Sequence, residues 1–245
     1  MTTIEFKASL EDVAGAAPRP VPVNKFIPEW YKKMSKNTLS KEENPRQLPK
    51  IINENGLPRN CQTVKECPPI RDYLCSGYII PLWADLLISK NQETGIERYS
   101  WADGDKKMIE IHPFDQFKGS MFEEHASIHG GMFKLNCPWF IKTPPGYSCF
   151  FFSPYYHNSS IEILPAIVDT DGHHEVNFPF ILRETGENII EMGEPIIQVF
   201  PFKRESWSHE IKTLEKSDFI RIRSFFKTAF AKAYKRNFHK KKVFR

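Results

Sequence analysis

From about residue 61 onward, apolar and polar positions alternate in short runs broken by turn residues. Period-2 alternation is the mark of a half-buried strand, and Gly, Pro, Asn and Asp clusters mark where strands stop. Segments 77–83, 84–89, 97–101, 108–112, 132–136, 147–153, 161–169, 175–183, 195–202 and 207–213 are predicted strands. Gly104, Gly130–Gly131, Pro144–Pro145–Gly146 and Asp171–Gly172 punctuate them. No helical stretches intervene to make parallel crossovers. The expected fold is therefore mainly β (α+β), an antiparallel sandwich or barrel. In 161–168, Ile161, Ile163, Pro165 and Ile167 share one face, while Leu164, Ala166 and Val168 share the other with Glu162. Apolar residues on both faces predict a strand buried on both sides.

The two ends differ from this centre. Pro18, Pro20 and Pro22 alternate near the start and predict an extended arm without ladder hydrogen bonds. Pro28 suits the first turn of a helix carrying Trp30, Tyr31 and Met34. Segment 35–60, with Pro45, Pro49 and Pro58, is expected to be a loop. At the other end, Phe219, Ile222, Phe226, Phe230 and Ala233 follow helical spacing, with Ser217 as a candidate N-cap and Asp218 at the positive end of the dipole. That helix is expected to stop near Asn237, ahead of a flexible basic tag. The implied organisation is an arm with a short helix and loop (1–60), a β-rich core (61–214) and a basic amphipathic helix with its tail (215–245).

Charge sharpens this division. Residues 219–245 hold ten basic side chains and no acidic one, leaving 24 basic and 30 acidic residues elsewhere, a net charge of −6. The formal net charge of +4 describes neither part. The uncompensated set includes Arg221, Arg223, Lys227, Lys232, Lys235, Arg236, Lys240, Lys241 and Lys242. Such a cluster suits a polyanion or an acidic protein surface. Phe225, Phe226, Phe230, Tyr234 and Phe238 interleave it and would either stack bases or pack on the body. With 40% apolar and 26% charged residues, wholesale disorder is excluded. No apolar run approaches the length of a membrane span, and no secretory leader is visible. Cys61, Cys67, Cys75, Cys137 and Cys149 are odd in number and widely spaced, which reads as reduced thiols of a cytoplasmic protein, buried as small apolar groups.

Two histidine groupings carry candidate chemistry. His125 and His129 lie four apart in EEHASIH, so a helix would present both imidazoles on one face beside a carboxylate, a possible divalent-metal site. The order is not HExxH, and Gly130–Gly131 would end the helix at once. His173 and Glu175 lie two apart, the cupin-like spacing that turns both toward one face of a strand, with His112, His125 or His129 as a third ligand. No phosphate-binding glycine loop and no nucleophile elbow is present.

Several phrases resemble an uncharacterised family of tailed-phage proteins, with some bacterial copies: IPEWYKKM (27–34), TVKECPPIRDYLCSGYIIPLWADLLI (63–88), CPWFIKTPPGYSCFF (137–151), IEILPAIVDTDGHHEVNFPF (161–180) and EMGEPIIQVFPFKRESW (191–207). That resemblance implies a phage setting and no particular reaction. TPPGY, IVDTDG and MGEPIIQVFPF also resemble, more weakly, the strand and turn order of the dUTPase-type β-clip fold. This likeness implies a β-clip topology and sets Asp169 at the position of that family's catalytic aspartate. The chain departs from the pattern in having no base-stacking Tyr at Gly172–His173 and no Ser-Gly phosphate loop near Ser153. The expected function is an accessory or virion-associated binding protein acting on another protein or as a homo-oligomer, in the host cytoplasm or the virion. A metal-dependent β-barrel enzyme and a nucleotide or nucleic-acid binder are the alternatives.

Overall fold

The computed structural model describes residues 2–8, 17–37, 63–101, 107–183, 185–228 and 233–245. Cys61, Gly104 and Lys232 lie outside these residues, as does most of the expected 35–60 loop. The described strands are β1 (Glu5–Ala8), β2 (Val21–Pro22), β3 (Tyr78–Pro81), β4 (Leu86–Lys90), β5 (Glu97–Trp101), β6 (Ile109–Pro113), β7 (Gly131–Asn136), β8 (Trp139–Lys142), β9 (Tyr147–Phe152), β10 (Ile161–Ile163), β11 (Ala166–Val168), β12 (Asn177–Leu182), β13 (Gly186–Ile190) and β14 (Pro195–Lys203). The α-helices are α1 (Glu29–Lys33), α2 (Pro68–Tyr73), α3 (Glu123–His129), α4 (Lys216–Thr228) and α5 (Ala233–Asn237). No helix among the described residues is long and apolar enough to cross a membrane.

The chain divides into two compact units. The first comprises Met1–Phe26, Gly77–Glu205 and Arg245. Its strands form four antiparallel sheets, β1-β8, β10-β12-β7-β6, β11-β9-β14-β3-β2 and β13-β4-β5. The mainly antiparallel β fold expected from the alternation is present, and among the described residues no sheet closes into a barrel. Its core gathers residues from every sheet: Ile80, Leu86, Ile88, Leu135, Ile141, Phe151, Ile163, Phe178, Phe180 and Val199 are all buried. β12 shows the underlying pattern, with Phe178, Phe180 and Leu182 buried and the alternate positions half-buried.

Several expectations are corrected. Segment 161–169 is two strands in different sheets: Leu164 still donates to the Pro179 carbonyl at 2.8 Å, and Pro165, which has no N–H, separates them. Ile161 and Ile163 are buried, whereas Ile167 in β11 is 63% exposed, so the strand is not buried on both sides throughout. The arm is not free of ladder pairing, since β2 sits at a sheet edge against β3, where a proline is tolerated. Segment 207–213 is not a strand. It alternates, but among the described residues it pairs with no strand, and Trp207 and Ile211 are exposed. β1, β8 and β13 were not expected.

The second unit comprises Ile27–Ser76 and Ser206–Phe244. Pro28 caps α1, and buried Tyr31 donates from its hydroxyl to the carbonyl of Lys65 at 3.1 Å. α4 begins at Lys216, so the expected cap, Ser217, lies inside the first turn. Asp218 occupies that turn and pairs with Arg221 at 2.9 Å. The tail beyond α5 is tied within this unit: Asp72 receives Lys242 and lies 2.9 Å from Nε2 of His239. Lys235 approaches Glu66 at 4.0 Å. The tail's positive charge is thus partly compensated inside the chain, rather than wholly free.

Candidate metal centre

The site belongs to the first unit and is built on the β4–β5 hairpin and α3. In the hairpin Lys90 is register partner to Glu97, and Ile88 to Tyr99. Alternation along β5 turns Glu97, Tyr99 and Trp101 inward and Arg98 and Ser100 outward. A carboxylate therefore stands on the buried face, with its side chain 0% exposed. The hairpin loop is held by Asn91, whose side-chain oxygen accepts from the backbone of Glu93 and Thr94 at 2.9 and 2.8 Å. A Cβ at Gly95 would meet Ile128 Cδ1 at 3.3 Å, so the helix lies against this loop.

α3 places His125 and His129 one turn apart, their ring centroids 5.1 Å from each other. Gly130, with φ of 70°, caps the helix in the left-handed conformation and returns its N–H to Ala126. Gly131 follows so closely on β6 that a Cβ would stand 1.9 Å from the carbonyl oxygen of His112. The two glycines stop the helix at His129 and start β7, which fixes where both imidazoles sit.

Glu97, His125 and His129 each offer one ligand atom, and these atoms all lie within 4.8 Å of one another. Oε1 of Glu97 and Nε2 of both histidines are buried without a hydrogen-bond partner. Buried polar atoms are almost always paired, so three orphans in one converging cluster of side chains call for a ligand. Oε2 of Glu97 accepts from the Tyr99 hydroxyl and lies 3.8 Å from His129 Nε2. Nζ of Lys90 stands 3.0 Å from Oε1 as an ion pair whose angles do not make a hydrogen bond. Burial holds both imidazoles below the usual histidine range, against the smaller opposing pull of Glu97. They are therefore neutral at pH 7, the form that donates a lone pair to a metal. Burial, then the bond to Glu97, raises the Tyr99 hydroxyl, which stays a donor at any ordinary pH. Phe133 and Phe180 wall the cluster, their rings 4.5 and 5.6 Å from that of Tyr99.

Two imidazole nitrogens and a carboxylate oxygen suit zinc, iron, cobalt or nickel rather than calcium or magnesium, which prefer all-oxygen shells. A tetrahedral ion with bonds of about 2.0–2.1 Å sets its ligands about 3.3 Å apart. Closing the cluster around an ion requires a contraction of about 1.5 Å at most, within the reach of histidine side-chain rotation.

The other anticipated ligands lie elsewhere. His112 is in β6, near the Phe117 ring at 6.4 Å, and is not among the converging donors. His173 and Glu175 are exposed and precede β12, so no strand aligns them. Asp169 accepts from Ser148 Oγ at 2.6 Å and pairs with Arg204 at 3.2 Å. Asp171 takes the same guanidinium and the backbone N–H of Gly146 at 2.8 Å, which together lower its carboxyl to about 2. This knot ties the PPGY turn to the DTDG turn. Cys137 and Cys149 have thiols raised by burial to about 12 and about 11, in keeping with inert, protonated groups. In the basic segment, Arg223 stacks over Phe219 at 5.1 Å, while Arg236, Lys240 and Lys241 are exposed. Lys227 falls in α4 and its side chain lies outside the described residues. Glu97 was missed in the sequence, although GIERYSW sets it in step with Tyr99 and Trp101, a charge on an apolar face.

No protein-family model matches the chain, and no curated protein matches it. Among solved structures it is similar to a mutant dUTPase of Staphylococcus bacteriophage 80alpha bound to dUpNHpp, at 13% identity over 58% of this chain and 76% of that one, with a TM-score of 0.30. It is similar also to a mutant dUTPase from phage phi11 of S. aureus, at 11% identity over 59% and 86% of the two chains, with a TM-score of 0.29. At these scores neither likeness assigns this chain a ligand or a reaction.

Proposed function

We propose that this chain is a divalent transition-metal protein whose ion is held by Glu97, His125 and His129. The observation that carries the reading is the convergence of one ligand atom from each of Glu97, His125 and His129, in a cluster where Glu97 Oε1 and both histidine Nε2 atoms are buried without a hydrogen-bond partner. Three protein donors leave a position of a four-coordinate ion for water or a substrate, the arrangement of metal centres that act as Lewis acids rather than closed structural ones. Tyr99 orients the carboxylate by donating to Oε2, a supporting contact of the kind that tunes ligand basicity. Elemental analysis of full-length protein purified without chelator tests this. About one equivalent of zinc, iron, cobalt or nickel is expected, and it should vanish in the double variant His125→Ala/His129→Ala. Metal-free protein that also takes up none of these ions on dialysis would refute it.

A second reading concerns the basic segment, as an anchor for an acidic protein surface or for nucleic acid in a phage-type accessory protein. It is favoured by Lys240 and Lys241, exposed and in no ion pair among the described residues. Charge reversal at both, leaving Asp72 its partners, should flatten the salt dependence of binding to a DNA duplex or to heparin. An unchanged slope would remove this reading.

A further inference from the structure

The polar cluster contains a cation that a metal centre does not need. Lys90 stands opposite Glu97 in the hairpin register, with its ammonium 3.0 Å from Oε1, the carboxylate oxygen that has no other partner. Glu97 is wholly buried, whereas the Lys90 side chain is 21% exposed. The carboxylate has nowhere to go, but the lysine ends its strand at the start of the 91–96 loop and reaches solvent by a change of rotamer. We propose that Lys90 is the built-in counter-cation of this centre. In the metal-free protein its ammonium neutralises Glu97, and an incoming divalent ion displaces it to solvent, so binding is an exchange of one cation for another. The inference rests on the metal reading above.

The reasoning is electrostatic. A buried carboxylate without compensation is strongly unfavourable, so the empty site requires a positive charge, and Lys90 supplies it. Oε2 is already engaged by the neutral hydroxyl of Tyr99, and Lys90 is the cation that stands at Oε1. Once a divalent ion sits among the three donors, an ammonium at the same oxygen is repelled through a poorly screened interior. Lys90 therefore lowers affinity while keeping the empty site folded, which makes the bound ion exchangeable rather than permanently trapped.

The test is competitive titration of zinc into chelator-stripped full-length protein, comparing the wild type with Lys90→Met, Lys90→Gln and Lys90→Arg. Lys90→Met and Lys90→Gln should each bind tighter, on the order of ten- to a hundredfold, the range by which groups around a ligand set tune a metal. Lys90→Arg, which keeps the charge, should bind no tighter than the wild type. Thermal melts give a second readout: the neutral variants should melt below the wild type when stripped and gain more from zinc. If all four proteins bind one ion with the same affinity, the counter-cation role is wrong and the metal centre stands. If none binds, the centre itself is wrong and this inference falls with it.

Discussion

Replacing Glu97 with glutamine keeps the side chain's shape and removes its charge, so it isolates what the buried carboxylate does. In the metal-free protein two interactions change. The Tyr99 hydroxyl donates to a neutral amide oxygen instead of a carboxylate, a loss of about 1 kcal/mol, the difference between charged and neutral hydrogen bonds. Lys90 loses its partner. A fully buried orphaned charge would cost roughly 3–5 kcal/mol, but the Lys90 side chain is 21% exposed and can hydrate, which reduces its share to about 1 kcal/mol. The sum, about 2 kcal/mol, corresponds to a fall in melting temperature of about 4–8 °C for a chain of this size. Zinc at a hundredfold excess over its Kd stabilises the wild type by about 2.7 kcal/mol, a further rise of about 5–11 °C. With an amide in place of the carboxylate, most of that rise should disappear. Calorimetry of stripped and zinc-loaded samples of both proteins measures all four melting temperatures. A glutamine variant that melts with the wild type and gains as much from zinc would show that Glu97 is neither strained by burial nor a ligand.

Two further outcomes test the frame around the site. The Asp171 carboxyl is lowered to about 2 by Arg204 and the Gly146 N–H, so the stability it contributes is fully present above its unfolded-state value near 4 and is lost as pH falls toward 2; Asp171→Asn should lower the urea midpoint at pH 6 and flatten its dependence between pH 5 and 2, and an unaltered profile would mean the Arg204 knot contributes nothing. Gly131→Ala would drive a methyl group to 1.9 Å from the His112 carbonyl oxygen, forcing β6 and β7 apart; circular dichroism should show a melting temperature lower by more than 5 °C, roughly the effect of losing 2 kcal/mol or more, and a normal melt would refute the close approach.

The legible part of the fold was local. β5 follows from alternation and β14 from a short apolar run, each bounded by turn residues, since each strand's pattern is complete in itself. The Gly130–Gly131 stop fixed the end of α3, and His125 and His129 share its face as the i, i+4 spacing requires. What escaped was set by partners distant in sequence. β1 carries only four residues and is defined by pairing with β8, over a hundred residues later. Segment 207–213 alternates as well as any strand, yet no neighbour among the described residues supplies a ladder. At 161–169, Pro165 decided against continuity, and the exposure of Ile167 follows from β11 lying at a sheet edge. The site was half legible. The histidine pair could be read, but its carboxylate lies 28 residues before His125, on another element, and only the fold brings it there. His173 and Glu175 had an equally suggestive spacing, but that spacing aligns ligands only on a strand, and these residues precede one.

Anomalous diffraction from crystals of zinc-loaded protein, recorded on both sides of the zinc edge, examines the central claim most directly. One peak should lie about 2.0–2.2 Å from a ring nitrogen of His125, a ring nitrogen of His129 and a carboxylate oxygen of Glu97, with the Lys90 ammonium turned away. A zinc peak at any other set of residues, or none despite loading, would contradict it.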